Sequence, residues 1–211
     1  PYRTTPPDDH VLSIDEFARL PAEDCWMELV RGRVVREPLP GFEHGALADE
    51  LHSRLREFVH RCGLGRVVGR TGFLLFDDPP TVRGPDVAFV AAERIRAHGV
   101  PRGFWPGAPD LAVEVASPAK ARRGLHERVD DYLMAGARLV WVVDPRVRTV
   151  TVYAPGTTAR VYGGGADVAP PGSERDVLLG GDVLPGFRLS VAGLFAATGL
   201  ANLTVNRRAR R

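Results

Sequence analysis

Two short apolar runs bracket a helical stretch in the middle of the chain, and this arrangement limits the fold more than any other feature. Leu111–Ala116 and Leu139–Val143 are dominated by aliphatic residues, as buried strands are, and the residues between them, from about 122 to 135, carry a helical pattern. Further strand-like runs lie at 66–69, 72–76, 87–90 and 149–153. Strands ahead of a strand–helix–strand unit imply a mixed sheet with helices packed on it, an α/β or α+β fold. At 211 residues the chain suits one domain with a proper core and is short for two.

The flanks supply the remaining elements. Ser13-Ile-Asp-Glu16 reads as a capping box opening a short helix that runs to Leu20. Trp26–Val30 and Arg33–Val35 read as a hairpin turning at Gly32. Leu47, Leu51, Leu55 and Val59 recur every four residues, which predicts an amphipathic helix from Glu43 to about His60, closed by Gly63-Leu64-Gly65. Weak strands continue to Leu184–Leu189, and a last helix is expected over Val191–Ala197. Residues 1–10 are polar and proline-rich and read as a disordered leader; residues 201–211 read as a basic disordered tail, leaving 11–200 as the domain. No signal pattern or membrane-length apolar run is seen, so a cytoplasmic protein without membrane attachment is expected. Cys25 and Cys62 fit no metal-ligand spacing and are read as reduced thiols.

Charge localisation restricts how such a chain can meet a polyanion. The formal net charge is +2, but Arg207, Arg208, Arg210 and Arg211 lie in the tail; without them 24 basic residues face 26 acidic ones. Phosphate binding needs clustered cations, so a nucleic-acid site here is either a local groove or recruits the tail, with Arg207 and Arg208 as candidate contacts. Lys120 is the only lysine.

In Leu111-Ala-Val-Glu-Val-Ala116 the side chains alternate between faces, so Leu111, Val113 and Val115 point to the core and Glu114 to the opposite side with Ala112 and Ala116. A carboxylate in so apolar a strand is costly to bury unless paired or metal-bound. Asp86 stands at the entrance of the Val87–Val90 strand. Two carboxylates on adjacent strands suit a hard divalent cation and phosphate chemistry. Taken singly, Asp86 also suits a turn cap and Glu114 an arginine pair. Asp110 is set aside: it lies four residues from Glu114 on the same strand, roughly 13 Å away at about 3.3 Å per residue.

Pro85-Asp86 followed by Glu114-Val115-Ala116 resembles the PD-(D/E)XK nuclease signature, and the flanking text resembles its Uma-two branch. The matching segments are Met27–Val34, His44-Gly45, Arg83–Val90, Pro109–Pro118, Tyr132–Gly136, Val140–Pro145 and Leu184–Leu189, together covering most of residues 11–196. The resemblance implies a restriction-endonuclease-like mixed sheet flanked by helices. It also implies a magnesium site (manganese as a substitute) held by Asp86, Glu114 and the carbonyl of Val115, and often a homodimer. The expected activity is endonucleolytic hydrolysis, of DNA rather than RNA; a catalytically inactive module that binds DNA or a protein is the alternative.

The chain departs from this pattern in two places. The signature expects a lysine two residues after the glutamate, where this chain has Ala116. The branch draws a lysine from the next helix, four residues before the tyrosine matching Tyr132, and here that position is Arg128. Arginine keeps the charge and can clamp phosphate, but with a pKa above about 12 it does not serve as a base. Lys120, just past Ser117-Pro118, is the second candidate for that role. Glu28 is either a third carboxylate or one half of a hairpin salt bridge. His44 positions substrate or water, or only caps and packs. Arg83 joins Arg207 and Arg208 as a candidate nucleic-acid contact, while Tyr132 is read as packing and Trp141 as core.

Overall fold

The structure, a computed structural model, describes residues 11–21, 25–117, 122–164 and 170–199. Helix α1 (Ile14–Ala18) opens with the capping box the sequence predicts: the Ser13 hydroxyl accepts from the Glu16 amide, and the Glu16 carboxylate accepts from the Ser13 amide. Strands β1 (Trp26–Val30) and β2 (Arg33–Glu37) pair antiparallel across Arg31-Gly32. Both turn residues have positive φ, 50° and 75°, as a two-residue turn matched to strand twist requires. Helix α2 (Phe42–Cys62) buries the predicted row Leu47, Leu51, Leu55 and Val59, each worth about 1.5–3 kcal/mol. It ends at Gly63 with φ 65°.

The chain continues through β3 (Gly65–Gly69), β4 (Phe73–Asp77), β5 (Pro80–Arg83), β6 (Val87–Ala91), α3 (Ala92–His98), β7 (Trp105–Pro106), β8 (Leu111–Val115) and α4 (Arg122–Met134). It closes with β9 (Leu139–Asp144), β10 (Thr149–Tyr153), β11 (Arg160–Gly163), β12 (Val177–Leu179), β13 (Arg188–Ser190) and α5 (Val191–Ala197). The expected mixed sheet has six strands in the order β11-β10-β9-β8-β6-β3. Its one parallel pair is β8–β9, because α4 carries the chain back across the sheet; its other pairs are antiparallel.

The amino-terminal hairpin does not join that sheet. It forms a second one, β2-β1-β5-β4-β7, while β12 and β13 make a separate pair. The sequence reading missed β5, α3 and β7, which are short and lack a sustained apolar period.

The six-stranded sheet divides the core in two. On one face Leu111, Val113 and Val115 pack with the α2 leucines, Trp141, and Leu194 and Phe195 of α5. On the other face Ala88, Ala112, Val140 and Val142 meet Leu125, Val129 and Tyr132 of α4 together with Phe73 and Trp105 of the second sheet. Trp141 is fully buried, as expected, and Cys25 and Cys62 are free thiols. Among the described residues no helix is long and apolar enough to cross a membrane.

Candidate active site

The β6–β8 pairing places Val87 opposite Val113 and Ala88 opposite Ala112, which brings Asp86 to the level of Glu114 on the neighbouring strand. Asp86 stands one residue ahead of β6, and its side chain takes over where the backbone ladder stops. Asp86 Oδ2 accepts a hydrogen bond from the Val115 amide at 2.7 Å, and Oδ1 lies 3.0 Å from His44 Nε2 on the first turn of α2. His44 Nδ1 is buried with no hydrogen-bond partner. A ring nitrogen facing a carboxylate oxygen must carry the proton to attract it, so His44 donates from Nε2 and holds Asp86 in place.

Glu114 is fully buried on the α4 face of the sheet, as the alternation of β8 predicts. Its Oε1 accepts from the Tyr132 hydroxyl at 2.8 Å and lies 3.5 Å from Arg128 Nη1. Arg128, Asp131 and Tyr132 follow one another at i, i+3 and i+4, so one face of α4 presents all three to the sheets. Arg128 donates to Glu28 Oε1 at 2.6 Å and to Glu37. Arg83 bonds Glu28 Oε2 at 3.0 Å and Asp131 Oδ2 at 2.6 Å, and Arg31 reaches Asp131 from the surface at 3.3 Å. Burial disfavours the charged form of Arg128, but the carboxylates of Glu114, Glu28 and Glu37 outweigh it and hold its pKa above the ordinary arginine value. Burial, then Glu114 and Glu28, push the Tyr132 phenol well above its ordinary value, so it stays a donor.

This network corrects several expectations. Arg83, expected as a nucleic-acid contact, is turned inward instead: its side chain is 5% exposed and bonds Glu28 and Asp131, joining β5 to β1 and α4. Glu28 is not a third ligand on an open site. It is 1% exposed, with both oxygens engaged by Arg83, Arg128 and the Gly84 amide. Nor is it one half of a pair within the hairpin. Arg128 does come to Glu114, as the resemblance implies, yet at 2% exposure it faces carboxylates rather than a phosphate. Tyr132 is more than packing, since its hydroxyl orients Glu114. The spacing of Arg128, Asp131 and Tyr132 was the available signal; nothing local in the sequence announced Glu37 as a partner of Arg128 or Arg83 as a partner of Asp131. Lys120, Arg207 and Arg208 lie outside the described residues. Asp110 is structural, accepting from the Ala91 amide and pairing with Arg94.

A cleft of about 530 Å³ opens beside Asp86, between β2, the first half of α2 and the β3–β4 turn. His44, Asp86, Glu37, Arg70, Trp26 and Ser117 line it. Trp26 can lie against the backbone there only because residue 84 is glycine: a Cβ on Gly84 would come within 2.4 Å of the indole ring.

The donor set fits a hard divalent cation. The cluster joined by these contacts holds four carboxylates (Glu28, Glu37, Glu114, Asp131) and three guanidiniums (Arg31, Arg83, Arg128), and Asp86, level with Glu114 on the next strand, pairs with His44. Asp86, Glu114 and the Val115 carbonyl offer only oxygen, the ligand such cations take. Among the described residues no three His, Cys, Asp or Glu side chains are grouped to hold an ion. Water or substrate oxygens would therefore complete the shell, as suits magnesium, which keeps several waters.

A six-stranded mixed sheet with helices on both faces is a restriction-endonuclease-like architecture, and it sets Asp86, at the cleft, level with the buried Glu114. The chain belongs to the Uma2 family, described as "Putative restriction endonuclease", whose model matches residues 14–192. It is also similar to a solved structure, that of "a putative nuclease belonging to DUF820" from Anabaena variabilis ATCC 29413. The two share 23% identity and a TM-score of 0.74, over 89% of this chain and 99% of that one. No curated protein matches the chain significantly.

Proposed function

We propose that the chain is a divalent-cation-dependent endonuclease that hydrolyses phosphodiester bonds, with DNA as its substrate and magnesium or manganese as the cation. The observation that carries this reading is the β6–β8 register, which sets Asp86, a residue lining the cleft, level with Glu114 on the neighbouring strand. Asp86, Glu114 and the Val115 carbonyl are the groups that would hold the ion; bound there, it supplies a Lewis acid for the scissile phosphate and lowers the pKa of a water. His44 and the Val115 amide fix the two oxygens of Asp86, while Tyr132 fixes Glu114. Arg128 neutralises the carboxylates behind the site; its raised pKa excludes it as a proton acceptor, so the base is sought elsewhere, with Lys120 as the candidate.

The test is cleavage of supercoiled plasmid and single-stranded DNA at enzyme excess. Nicking that needs magnesium or manganese, and that disappears in both Asp86→Ala and Glu114→Ala, is the expected result. Folded wild-type protein that leaves both substrates intact would overturn the reading.

One observation favours the second reading, a nuclease fold kept for binding alone: the cation beside Glu114 is saturated by carboxylates instead of facing the cleft. It predicts DNA binding indifferent to the cation and no cleavage; a cleavage rate that Lys120→Ala reduces would exclude it.

A further inference from the structure

The cleft that Asp86 lines also carries a layered planar surface. The Trp26 ring rests on the Gly84 backbone, and the Arg70 guanidinium lies over it, 5.0 Å from the ring centroid. Among the described residues Arg70 has no carboxylate within ion-pair distance, and its contact is with the indole face. Its backbone sits at φ 51°, in the left-handed region an arginine rarely occupies. Such conformations persist where the surrounding structure demands them, and they cluster at ligand sites. Leu39, 64% exposed, adds an apolar surface to the same cleft.

The charge of the lining says what this surface is for. Glu37, Asp49 and Asp86 contribute three carboxylates to the cleft, and Arg70 is its only arginine or lysine among the described residues. Apart from a cation held at Asp86 and Glu114, the cleft does not attract a phosphate backbone. A flat guanidinium backed by an indole instead attracts the face of an aromatic ring, and unpaired bases are recognised by stacking on aromatic side chains and arginine planes. The volume, about 530 Å³, lies within the range that encloses one small molecule, the size of a nucleotide and far short of a duplex.

We infer that Arg70 and Trp26 form a nucleobase-stacking subsite, so that the substrate strand enters the cleft with a base unpaired. This rests on the nuclease reading and names the substrate class within it. The base lies against the outer face of Arg70 while its phosphate faces Asp86. Single-stranded nucleic acid is then the preferred ligand, bound with little regard to sequence because every base has a π-face.

The experiment is a binding titration of the full chain in calcium, a hard cation that takes the same oxygen ligands, read by fluorescence anisotropy with the strands checked intact on a gel afterwards. The probes are a labelled oligothymidylate, the same backbone built from abasic units, and a blunt duplex. Wild type should bind oligothymidylate roughly 5- to 150-fold more tightly than the abasic strand, the range a stacked base supplies, and more tightly than the duplex. Trp26 emission should be quenched in step, since Trp105 and Trp141 are buried. Arg70→Asn, a residue that tolerates the left-handed backbone, should lower the preference for the base several-fold. Adding Trp26→Leu should bring it close to one. If the double variant does not fold, Arg70→Asn decides alone. A preference near one in wild type, an unchanged preference in Arg70→Asn, or duplex binding as tight as single-strand binding overturns the inference and leaves the nuclease reading standing. Binding of none of the three probes overturns both.

Discussion

Replacing Tyr132 by phenylalanine removes one oxygen from the interior and leaves the ring that packs against Val129 and the sheet. That hydroxyl is fully buried and donates at 2.8 Å to Glu114, which is itself fully buried, so no water replaces the lost donor. A hydrogen bond to a charged group is worth about 1.5–3 kcal/mol. Tyr132→Phe should therefore cost about 2 kcal/mol, or roughly 4–8 °C in Tm for a domain of this size. Urea unfolding should show a lower midpoint with an unchanged slope, because the surface exposed on unfolding is the same. The Glu114→Gln background adds a sharper demand. There the same hydroxyl meets a neutral acceptor, whose bond is worth about 1 kcal/mol, so the cost of Tyr132→Phe should fall by about half. A cost below about 0.5 kcal/mol in wild type, or one identical in both backgrounds, would refute the claim that the Tyr132 hydroxyl holds the Glu114 carboxylate.

The remaining predictions test the elements around the site. Arg128→Met leaves Glu28, Glu37 and Glu114 facing one another without their cation and should cost about 3–5 kcal/mol in urea unfolding. Gly84→Ala should cost about 1–3 kcal/mol and shift Trp26 fluorescence, because its Cβ would overlap the indole ring. At Asp176, burial pushes the carboxyl up, but hydrogen bonds from the Gly172 and Ala192 amides and the Ser190 hydroxyl outweigh it and hold it below its ordinary value. Its contribution is then present above an unfolded pKa of about 3.9 and lost as pH falls through the lower folded value. The stability gap between wild type and Asp176→Asn should accordingly be constant near neutrality and shrink below about pH 4. Deleting 203–211 should flatten the salt dependence of DNA binding, and an unchanged slope would make Arg207 and Arg208 incidental.

The parts of this molecule that repeat at a fixed period were readable from the sequence. The α2 leucines, the capping box at Ser13, the alternation that turns Glu114 away from Val113 and Val115, and the C-terminal helix all stand where local pattern put them. What could not be read is what depends on chain reversal in space. The hairpin β1–β2 belongs to a second sheet because β5 pairs with β1, and β5 is four residues long with no period of its own. For the same reason Glu28 and Arg83 looked like exposed chemistry in sequence. They are 55 residues apart, and their mutual neutralisation exists only once β5 lies beside β1. The level placement of Asp86 and Glu114 was legible because each stands on or next to one of two adjacent strands; the Arg70–Trp26 stack was not, since it brings the β3–β4 turn onto β1, far away in sequence.

The nuclease reading requires that Asp86 and Glu114 share one divalent cation. Calorimetric titration of manganese into wild type, Asp86→Ala and Glu114→Ala, each first shown to be folded by circular dichroism, measures this without reference to any substrate. A one-site isotherm in wild type that vanishes in both variants is the predicted result. No isotherm in folded wild type, or one that survives either substitution, would contradict it.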